Sequence, residues 1–222
     1  MAEEKIRKGK PVKSKEEPTE VPQEKKVERP ERKEITVKKW KGKEWFSIFS
    51  PKMFGENFLA ETPTTDPKSL VGRNIEVNVA DLINQPNKFY MKITFKVNRV
   101  DGKNAYTRFN GLKCVKEYLS RSVRKGLQKV TLIQTFDTKD EWKLQVTSTL
   151  ILNKNTESTV KTKVREVMGE FLTKNAQANT IDKFIDGIVS SSYQRQIKKI
   201  GTRVYPVRFS EIEKVEVLKA PA

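Results

Sequence analysis

Three acidic residues, Asp137, Asp140 and Glu141, lie close together in the sequence. Carboxylates at this spacing could hold a divalent metal ion, and such an ion can activate water to cleave a phosphodiester bond. Asp is also common in tight turns, because its side chain forms hydrogen bonds with the neighbouring backbone. The segment separates two patterns that are typical of strands. We therefore interpret it as a hairpin turn and keep a metal-dependent nuclease as an alternative.

The residues that enzymes most often use for nucleophilic or metal-assisted chemistry are scarce. The chain has no His and a single Cys, Cys114, whereas a zinc site needs several Cys or His ligands. No glycine-rich run has the spacing of a phosphate-binding motif. A lone Cys without a His to activate it is best interpreted as a small apolar side chain. We predict no enzymatic activity, no cofactor and no bound metal ion.

Positive charge is the most prominent chemical property of the chain. Its 222 residues include 45 Lys and Arg against 28 Asp and Glu, which gives a formal net charge of +17. Such a protein accumulates near polyanions, either nucleic acid or an anionic membrane. The sequence contains no apolar run near the roughly 18 residues that a membrane-spanning helix needs, and its start does not resemble a secretory signal. We predict a cytoplasmic protein that binds nucleic acid and no membrane.

Two sets of cations have the spacing i, i+3, i+4, which places each set on one face of a helix. The sets are Arg121, Arg124 and Lys125, and Arg195, Lys198 and Lys199. A ridge of this kind can contact neighbouring phosphates. Cations near the C-terminus of a helix are also favourable without a ligand, by about 0.3–1 kcal/mol. Neither set is therefore decisive alone.

Other candidate RNA contacts are spread along the chain. Three cations lie in the first turns of another predicted helix, where positive charge opposes the helix dipole and indicates an external anion. The others lie mostly in or beside predicted strands. These candidates are Lys161, Lys163 and Arg165 in the helix, with Arg108, Arg203, Arg208 and Arg73 elsewhere. Charge on several faces is what a protein embedded in folded RNA needs.

Cations and aromatic residues interleave from residue 38 to residue 46. Aromatic rings can stack on bases while ammonium groups neutralise phosphates, so the mixture suits RNA. Phe46, Phe49 and Phe54 are interpreted instead as apolar contacts with the core. The RNA-binding candidates of this segment are Lys38, Lys39, Trp40, Lys41 and Lys43.

The composition divides the chain near residue 40. Residues 1–39 are rich in Lys, Glu, Pro and Arg and contain no aromatic residue, so they cannot bury enough apolar surface to fold alone. We predict a disordered, basic N-terminal arm over residues 1–39 and a single α+β RNA-binding domain over residues 40–222.

Alternating apolar residues predict the strands of this domain. The clearest alternation runs through Phe89, Met91, Ile93, Phe95 and Val97. Further strands are predicted from residue 74 and over residues 105–109, 130–136, 142–152, 204–209 and 215–218. The tight turns between neighbouring strands indicate antiparallel pairing. About six strands could then close into a small barrel.

Helical spacing of apolar residues predicts four helices, three of them in the C-terminal half. The first covers residues 113–125. The second is capped by Ser158 or Thr159, and the third follows Thr180 with Asp182 in its first turn. The last helix ends at Ile200 and Gly201. Strands that come mostly first and helices that cluster late indicate an α+β fold rather than alternating βαβ units.

Several strings, in a consistent order from about residue 40 to residue 219, resemble the archaeal and eukaryotic small-subunit ribosomal proteins called S-one-e or S-three-Ae. They are Lys43-Glu44-Trp45-Phe46, Pro51-Lys52-Met53-Phe54, Gly72-Arg73, Glu76-Val77, Asp81-Leu82, Gly102-Lys103-Asn104, Phe109-Asn110-Gly111, Lys163-Val164-Arg165 with Met168, and Ile200 with Tyr205-Pro206-Val207.

The resemblance implies a β-barrel-like core with packed helices. It also implies a place on the platform of the small subunit, near the messenger exit and the 3′ end of the rRNA. The partners would be rRNA, neighbouring ribosomal proteins and mRNA near the exit. The unmatched arm and the end of the chain soon after Lys219 suggest an archaeal form. A free RNA chaperone or translation regulator is the alternative.

Overall fold

The computed structural model describes residues 42–221, and within this range it has eight strands and five α-helices. The strands are β1 (Glu44–Phe49), β2 (Phe58–Thr64), β3 (Asn74–Asn78), β4 (Met91–Asp101), β5 (Asn104–Cys114), β6 (Gln128–Asp137), β7 (Lys143–Leu152) and β8 (Val207–Lys219). The helices are α1 (Val79–Ile83), α2 (Lys116–Ser122), α3 (Ser158–Ala178), α4 (Ile181–Val189) and α5 (Ser192–Val204). This confirms the predicted α+β class. None of the described helices is both long and apolar enough to cross a membrane.

Two long antiparallel hairpins form most of the sheet. β4 pairs with β5 and β6 pairs with β7, as the alternating residues predict. In β4, Met91, Ile93 and Phe95 are completely buried, and the residues between them are half-exposed. The side-chain period of two therefore gives this strand one face toward the core and one face toward the outside.

Strand β8 lies between β5 and β7 and so joins the two hairpins into one eight-stranded sheet, in which β5 has the most neighbours. Strand β5 pairs with β4 along its length, with β1 in parallel near Asn104, and with β8 near Gly111. The sheet order is β2-β1-β5-β8-β7-β6, and β3 and β4 branch from β5. A Cβ atom on Gly111 would lie 2.8 Å from the carbonyl oxygen of Val215. Only glycine therefore allows the close approach of β5 and β8.

The described sheet is open. β2 pairs only with β1, β3 only with β4 and β6 only with β7 among residues 42–221. Bulges interrupt the register of β1, β4 and β7. The predicted closure into a barrel is therefore not confirmed.

Helices α3, α4 and α5 pack together against one face of the sheet, which we call the inner face. Val164, Met168 and Leu172 of α3 share a core with Leu150 of β7 and Ile197 of α5. Residues of β4 and β5 that point the same way belong to the same cluster. The opposite side of the sheet, which we call the outer face, is where the polar residues of the alternating strands lie.

Both predicted ends of the helix over residues 113–125 are wrong, since the observed helix α2 covers only Lys116–Ser122. β5 continues to Cys114 because residues Gly111–Lys113 pair with β8, and Val115 is extended. The helix ends at Ser122, and Val123 is 40% exposed rather than part of an apolar stripe. Ser158 is the first residue of α3 rather than its cap, and Glu157 holds the cap position.

The end of the last helix and the final strands also differ from the prediction. α5 continues through Gly201 to Val204, because this glycine provides close contact with Val207 rather than a helix stop. The two short strands predicted after it form a single strand, β8, which pairs with β7 along nearly its whole length. The α4 prediction is confirmed, with Thr180 at the cap position and Asp182 in the first turn.

Candidate nucleic-acid interface

Five cations share the outer face of the sheet, and we call them the outer-face cations. Strand alternation places them opposite the core, and the register brings them together. Lys96 lies beside Arg108, Lys92 lies beside Lys113, and Lys113 lies beside Lys214. The set is Lys92 and Lys96 of β4, Arg108 and Lys113 of β5, and Lys214 of β8.

The outer-face cations are only partly neutralised. Lys113 forms an ion pair with Glu76, and Lys214 forms one with Glu216 at 2.5 Å. No described carboxylate forms an ion pair with Lys92, Lys96 or Arg108. A polyanion is the natural partner for a surface with this excess of positive charge.

A groove of 390 Å³ crosses the outer-face cations where β4, β5 and β8 meet α2. Lys92, Lys113 and Lys214 line it with Lys116, the first residue of α2. Glu117 and Glu213 also line it, so the lysines outnumber the carboxylates by four to two. Four ammonium groups around one groove are suited to a phosphate backbone, which carries one negative charge per nucleotide.

Helix α5 presents a second group of cations, which we call the α5 cations. They are Arg195, Lys198, Lys199 and Arg203, all exposed, and the helix contains no acidic residue. Arg203 was predicted in or beside a strand, but it lies in the last turn of α5 and extends the predicted ridge. Arg195 also donates to the carbonyl oxygens of Ser190 and Ser191 at 3.4 and 3.2 Å. It therefore helps to fix the α4–α5 turn.

The two groups lie on different sides of the molecule. α5 packs on the inner face through Tyr193 and Ile197, so its exposed stripe points away from the sheet. The outer-face cations point in the opposite direction from the core. Positive charge on opposite sides is the arrangement that the sequence predicted for a protein embedded in folded RNA.

The set Arg121, Arg124 and Lys125 does not form a helical ridge. α2 ends at Ser122, so Arg124 and Lys125 lie in the turn that follows. All three side chains are exposed. The prediction that these three residues share one face of a helix is therefore wrong, although their side chains are accessible to an anion.

The three cations of α3 do not share one face of the helix. Lys161 and Arg165 are one turn apart, and Lys163 projects from another side of the helix. Arg165 donates its Nε–H to the carbonyl oxygen of Thr131 on β6 at 3.3 Å. Only Lys161 lies in the first turn of α3, so the argument from the helix dipole applies to that residue alone.

The remaining candidates are scattered. The Arg73 guanidinium donates to the Thr62 hydroxyl beside β3, and Arg208 is exposed near the start of β8. Lys43 is exposed immediately before β1. Four candidates lie outside the described residues, and they are Lys38, Lys39, Trp40 and Lys41.

The acidic segment has a structural role. Asp140 accepts a hydrogen bond from the backbone N–H of Ile181 at 3.1 Å and so caps the start of α4. Glu141 has a φ of +59° in the turn between β6 and β7, as expected for a hairpin turn. No group of three or more His, Cys, Asp or Glu in residues 42–221 is arranged to hold a metal ion. The turn interpretation accounts for these residues.

Two buried ionisable groups belong to the core rather than to the interface. Burial raises the pKa of the Cys114 thiol to about 12, so the thiol is protonated at neutral pH. Burial also raises the pKa of Glu211, whose carboxylate accepts a hydrogen bond from Gln194 of α5 at 3.0 Å. Glu211 therefore links β8 to α5 and was not identified from the sequence.

Comparison with known proteins decides the family. The model of the ribosomal S3Ae family matches residues 31–221. The chain belongs to the ribosomal S3Ae family. The resemblance found in the sequence is thereby confirmed, and the match begins within the predicted arm.

Curated S3Ae relatives are similar over most of their length. The chain is 32% identical over 187 residues to small ribosomal subunit protein eS1 of Methanopyrus kandleri, which covers 82% of this chain and 89% of that protein. It is 33% identical over 190 residues to the protein of the same name from Pyrobaculum islandicum, which covers 84% and 86%. The chain is therefore an S3Ae family member of the archaeal type. Because this family consists of structural ribosomal proteins, the chain is not an enzyme.

Four of the five outer-face cations of this S3Ae protein were not predicted from the sequence. Only Arg108 was singled out. A signal was available, because Lys92 and Lys96 occupy the polar positions of the same alternation that identified β4. Lys113 was assigned to a helix, and Lys214 lay outside every predicted element.

Proposed function

We propose that this S3Ae protein is a structural constituent of the small ribosomal subunit and binds rRNA through the outer-face cations and the α5 cations. The observation that carries this proposal is the presence of solvent-accessible cations, most of them without an ion-pair partner in the described part of the chain, on opposite sides of one folded body. Relatives named small ribosomal subunit protein eS1 support it.

The finer parts of the proposal follow from the family. They are a cytoplasmic location and a site on the platform near the messenger exit and the 3′ end of the rRNA. The partners would be rRNA, neighbouring ribosomal proteins and mRNA close to the exit. The division into a charged arm over residues 1–39 and one RNA-binding domain over residues 40–222 stays a prediction.

We expect the protein to sediment with small ribosomal subunits through a density gradient at moderate salt. The dispersed cations should keep enough phosphate contacts to survive partial screening, and the protein should dissociate as the salt concentration rises. Immunoblots of gradient fractions measure this. Recovery only in the ribosome-free fractions would favour a free RNA chaperone or regulator and would contradict the proposal.

We also expect opposite sides of the protein to contact different rRNA segments near the 3′ end. Cys114 is buried, so a cysteine placed by Lys96→Cys or Lys199→Cys would be the reactive thiol within residues 42–221. An iron chelate on each cysteine would cleave nearby rRNA by hydroxyl radicals, and primer extension would map the cuts. Cuts far from the 3′ region would contradict the proposed location, and identical cuts from both positions would contradict binding on two sides.

A further inference from the structure

Four planar side chains form a row across the outer face, and we call it the aromatic row. They are Phe58 of β2, Phe49 of β1, Tyr106 of β5 and Arg99 of β4. The rings of Phe49 and Phe58 have centroids 6.3 Å apart in an edge-to-face arrangement, and those of Phe49 and Tyr106 are 6.1 Å apart at 30°. The guanidinium carbon of Arg99 lies 4.7 Å from the centre of the Tyr106 ring.

Strand register produces the row. Phe58 is opposite Phe49, Phe49 is beside Tyr106, and Tyr106 is opposite Arg99. The neighbours of Phe49 and Tyr106 along their strands, Ile48 and Ala105, are buried in the core at 1% and 0% exposure. The row therefore lies on the outer face, where Phe58 is 57% exposed. The interpretation of Phe49 as a core contact is wrong, whereas Phe46, at 3% exposure, does belong to the core.

The aromatic row is continuous with the outer-face cations. Arg108 follows Tyr106 by two residues on β5, which places both side chains on the same face about 7 Å apart along the strand. Lys96 is opposite Arg108 on β4. A hollow of 260 Å³ opens beside Tyr106, with Pro51, Lys52 and Arg99 in its lining.

We propose that the aromatic row stacks on unpaired bases of a single-stranded RNA segment whose backbone continues over Arg108 and Lys96. Aromatic rings on an open sheet face bind single-stranded RNA because every base has a stackable face, and a guanidinium plane stacks in the same way. Paired bases in a duplex cannot reach the rings. This inference rests on the proposed function, since it names the form of RNA that the outer face binds.

The continuity with unpaired cations favours RNA over a protein partner for this surface. A protein partner would need an apolar patch with carboxylates placed beside it to cover the row and also neutralise Arg108 and Lys96. An RNA strand satisfies both parts at once, because its bases cover the rings and its phosphates neutralise the cations.

The test compares two RNAs with the full-length protein by fluorescence anisotropy. One is an unstructured strand of about 12 nucleotides, within the usual site size of such surfaces, and the other is a hairpin duplex of the same length. The double variant Phe58→Leu, Tyr106→Leu removes two rings and keeps apolar side chains. Tyr106→Phe keeps the ring. Phe89→Leu is the matched control, since Phe89 is 61% exposed and lies outside the row.

We expect the double variant to bind the single strand about thirtyfold more weakly, which is the lower limit for losing the stacking of two rings. Its duplex affinity should be unchanged, and the salt dependence of binding should keep its slope because no cation is lost. Tyr106→Phe and Phe89→Leu should bind like the wild type. Thermal unfolding of each variant checks that the fold is intact.

Three results would overturn the inference while leaving the proposed function in place. The first is an unchanged affinity of the double variant for the single strand, which would indicate that the row binds a protein partner. The second is a loss of duplex affinity in the double variant as large as its loss of single-strand affinity. The third is a loss of single-strand affinity in Tyr106→Phe as large as that in the double variant. A wild-type protein that binds neither RNA would instead contradict RNA binding altogether.

Discussion

Replacing Lys92, Lys96 and Arg108 with Gln is expected to lower the affinity of the protein for small-subunit rRNA by roughly a hundredfold at about 0.1 M salt. These three cations have no ion-pair partner among the described residues, so each is available to neutralise one phosphate. Each lost contact removes about 0.7 of a decade of affinity for single-stranded RNA at this salt concentration, because fewer condensed counterions are released on binding. Gln keeps a long polar side chain and changes only the charge.

The measurement is a salt titration of binding to an rRNA fragment. We expect the slope of log affinity against log salt concentration to become shallower by about two to three. The matched control is Lys139→Gln, Lys154→Gln, Lys183→Gln, which changes the net charge equally at three exposed positions away from the outer face. An equal loss in the control would mean that net charge, and not this surface, determines binding.

The strands were largely predictable, because a face buried on one side leaves a local period of two in the sequence. Met91, Ile93 and Phe95 alone identify β4, and the turns after Asp101 and Asp137 identify its hairpin and the next one. These features depend on residues that are neighbours along the chain. Their physical cause can therefore be seen without any knowledge of distant partners.

The misassigned segment has a long-range cause. Residues 113–125 carry helical spacing, yet Lys113 belongs to β5 because it pairs with Lys214 of β8. The residues around Lys113 contain no pattern that could indicate pairing with β8, which comes about a hundred residues later in the chain. The same limit explains why two short strands were predicted where β8 is a single strand, since its middle is stabilised by pairing with β7.

The candidate interface also contains residues that were predictable from local spacing and residues that were not. Three of the four α5 cations, Arg195, Lys198 and Lys199, follow from spacing within one helix and were found in the sequence, whereas Arg203 was not assigned to that helix. The outer-face cations and the aromatic row need the register of several strands, so residues such as Lys92 and Tyr106 have no local signal that unites them. A surface built across a sheet therefore requires the strand register, whereas a surface on one helix requires only that the helix itself is predicted correctly, which was not so for Arg121, Arg124 and Lys125.

The Phe95→Ala variant is expected to lower the free energy of unfolding by about 3–5 kcal/mol. Phe95 is completely buried, and its ring packs edge to face against Phe54 with centroids 5.6 Å apart. Truncation removes this apolar contact and leaves a cavity that the rigid sheet cannot fill. Urea denaturation measures the change. The control is Phe89→Ala, which removes an exposed ring and should change the free energy of unfolding by no more than about 0.5 kcal/mol.

Phe95 and Lys96 are adjacent in β4 and point to opposite faces, so variants of the two residues should affect separate properties. Folded Phe95→Ala protein should bind RNA with the salt slope of the wild type, and the Gln variant of the outer face should unfold like the wild type. If Phe95→Ala proved as stable as the wild type, the side-chain alternation assigned to β4 would be wrong. The placement of Lys92 and Lys96 on the outer face would then lose its basis, because it depends on the same alternation.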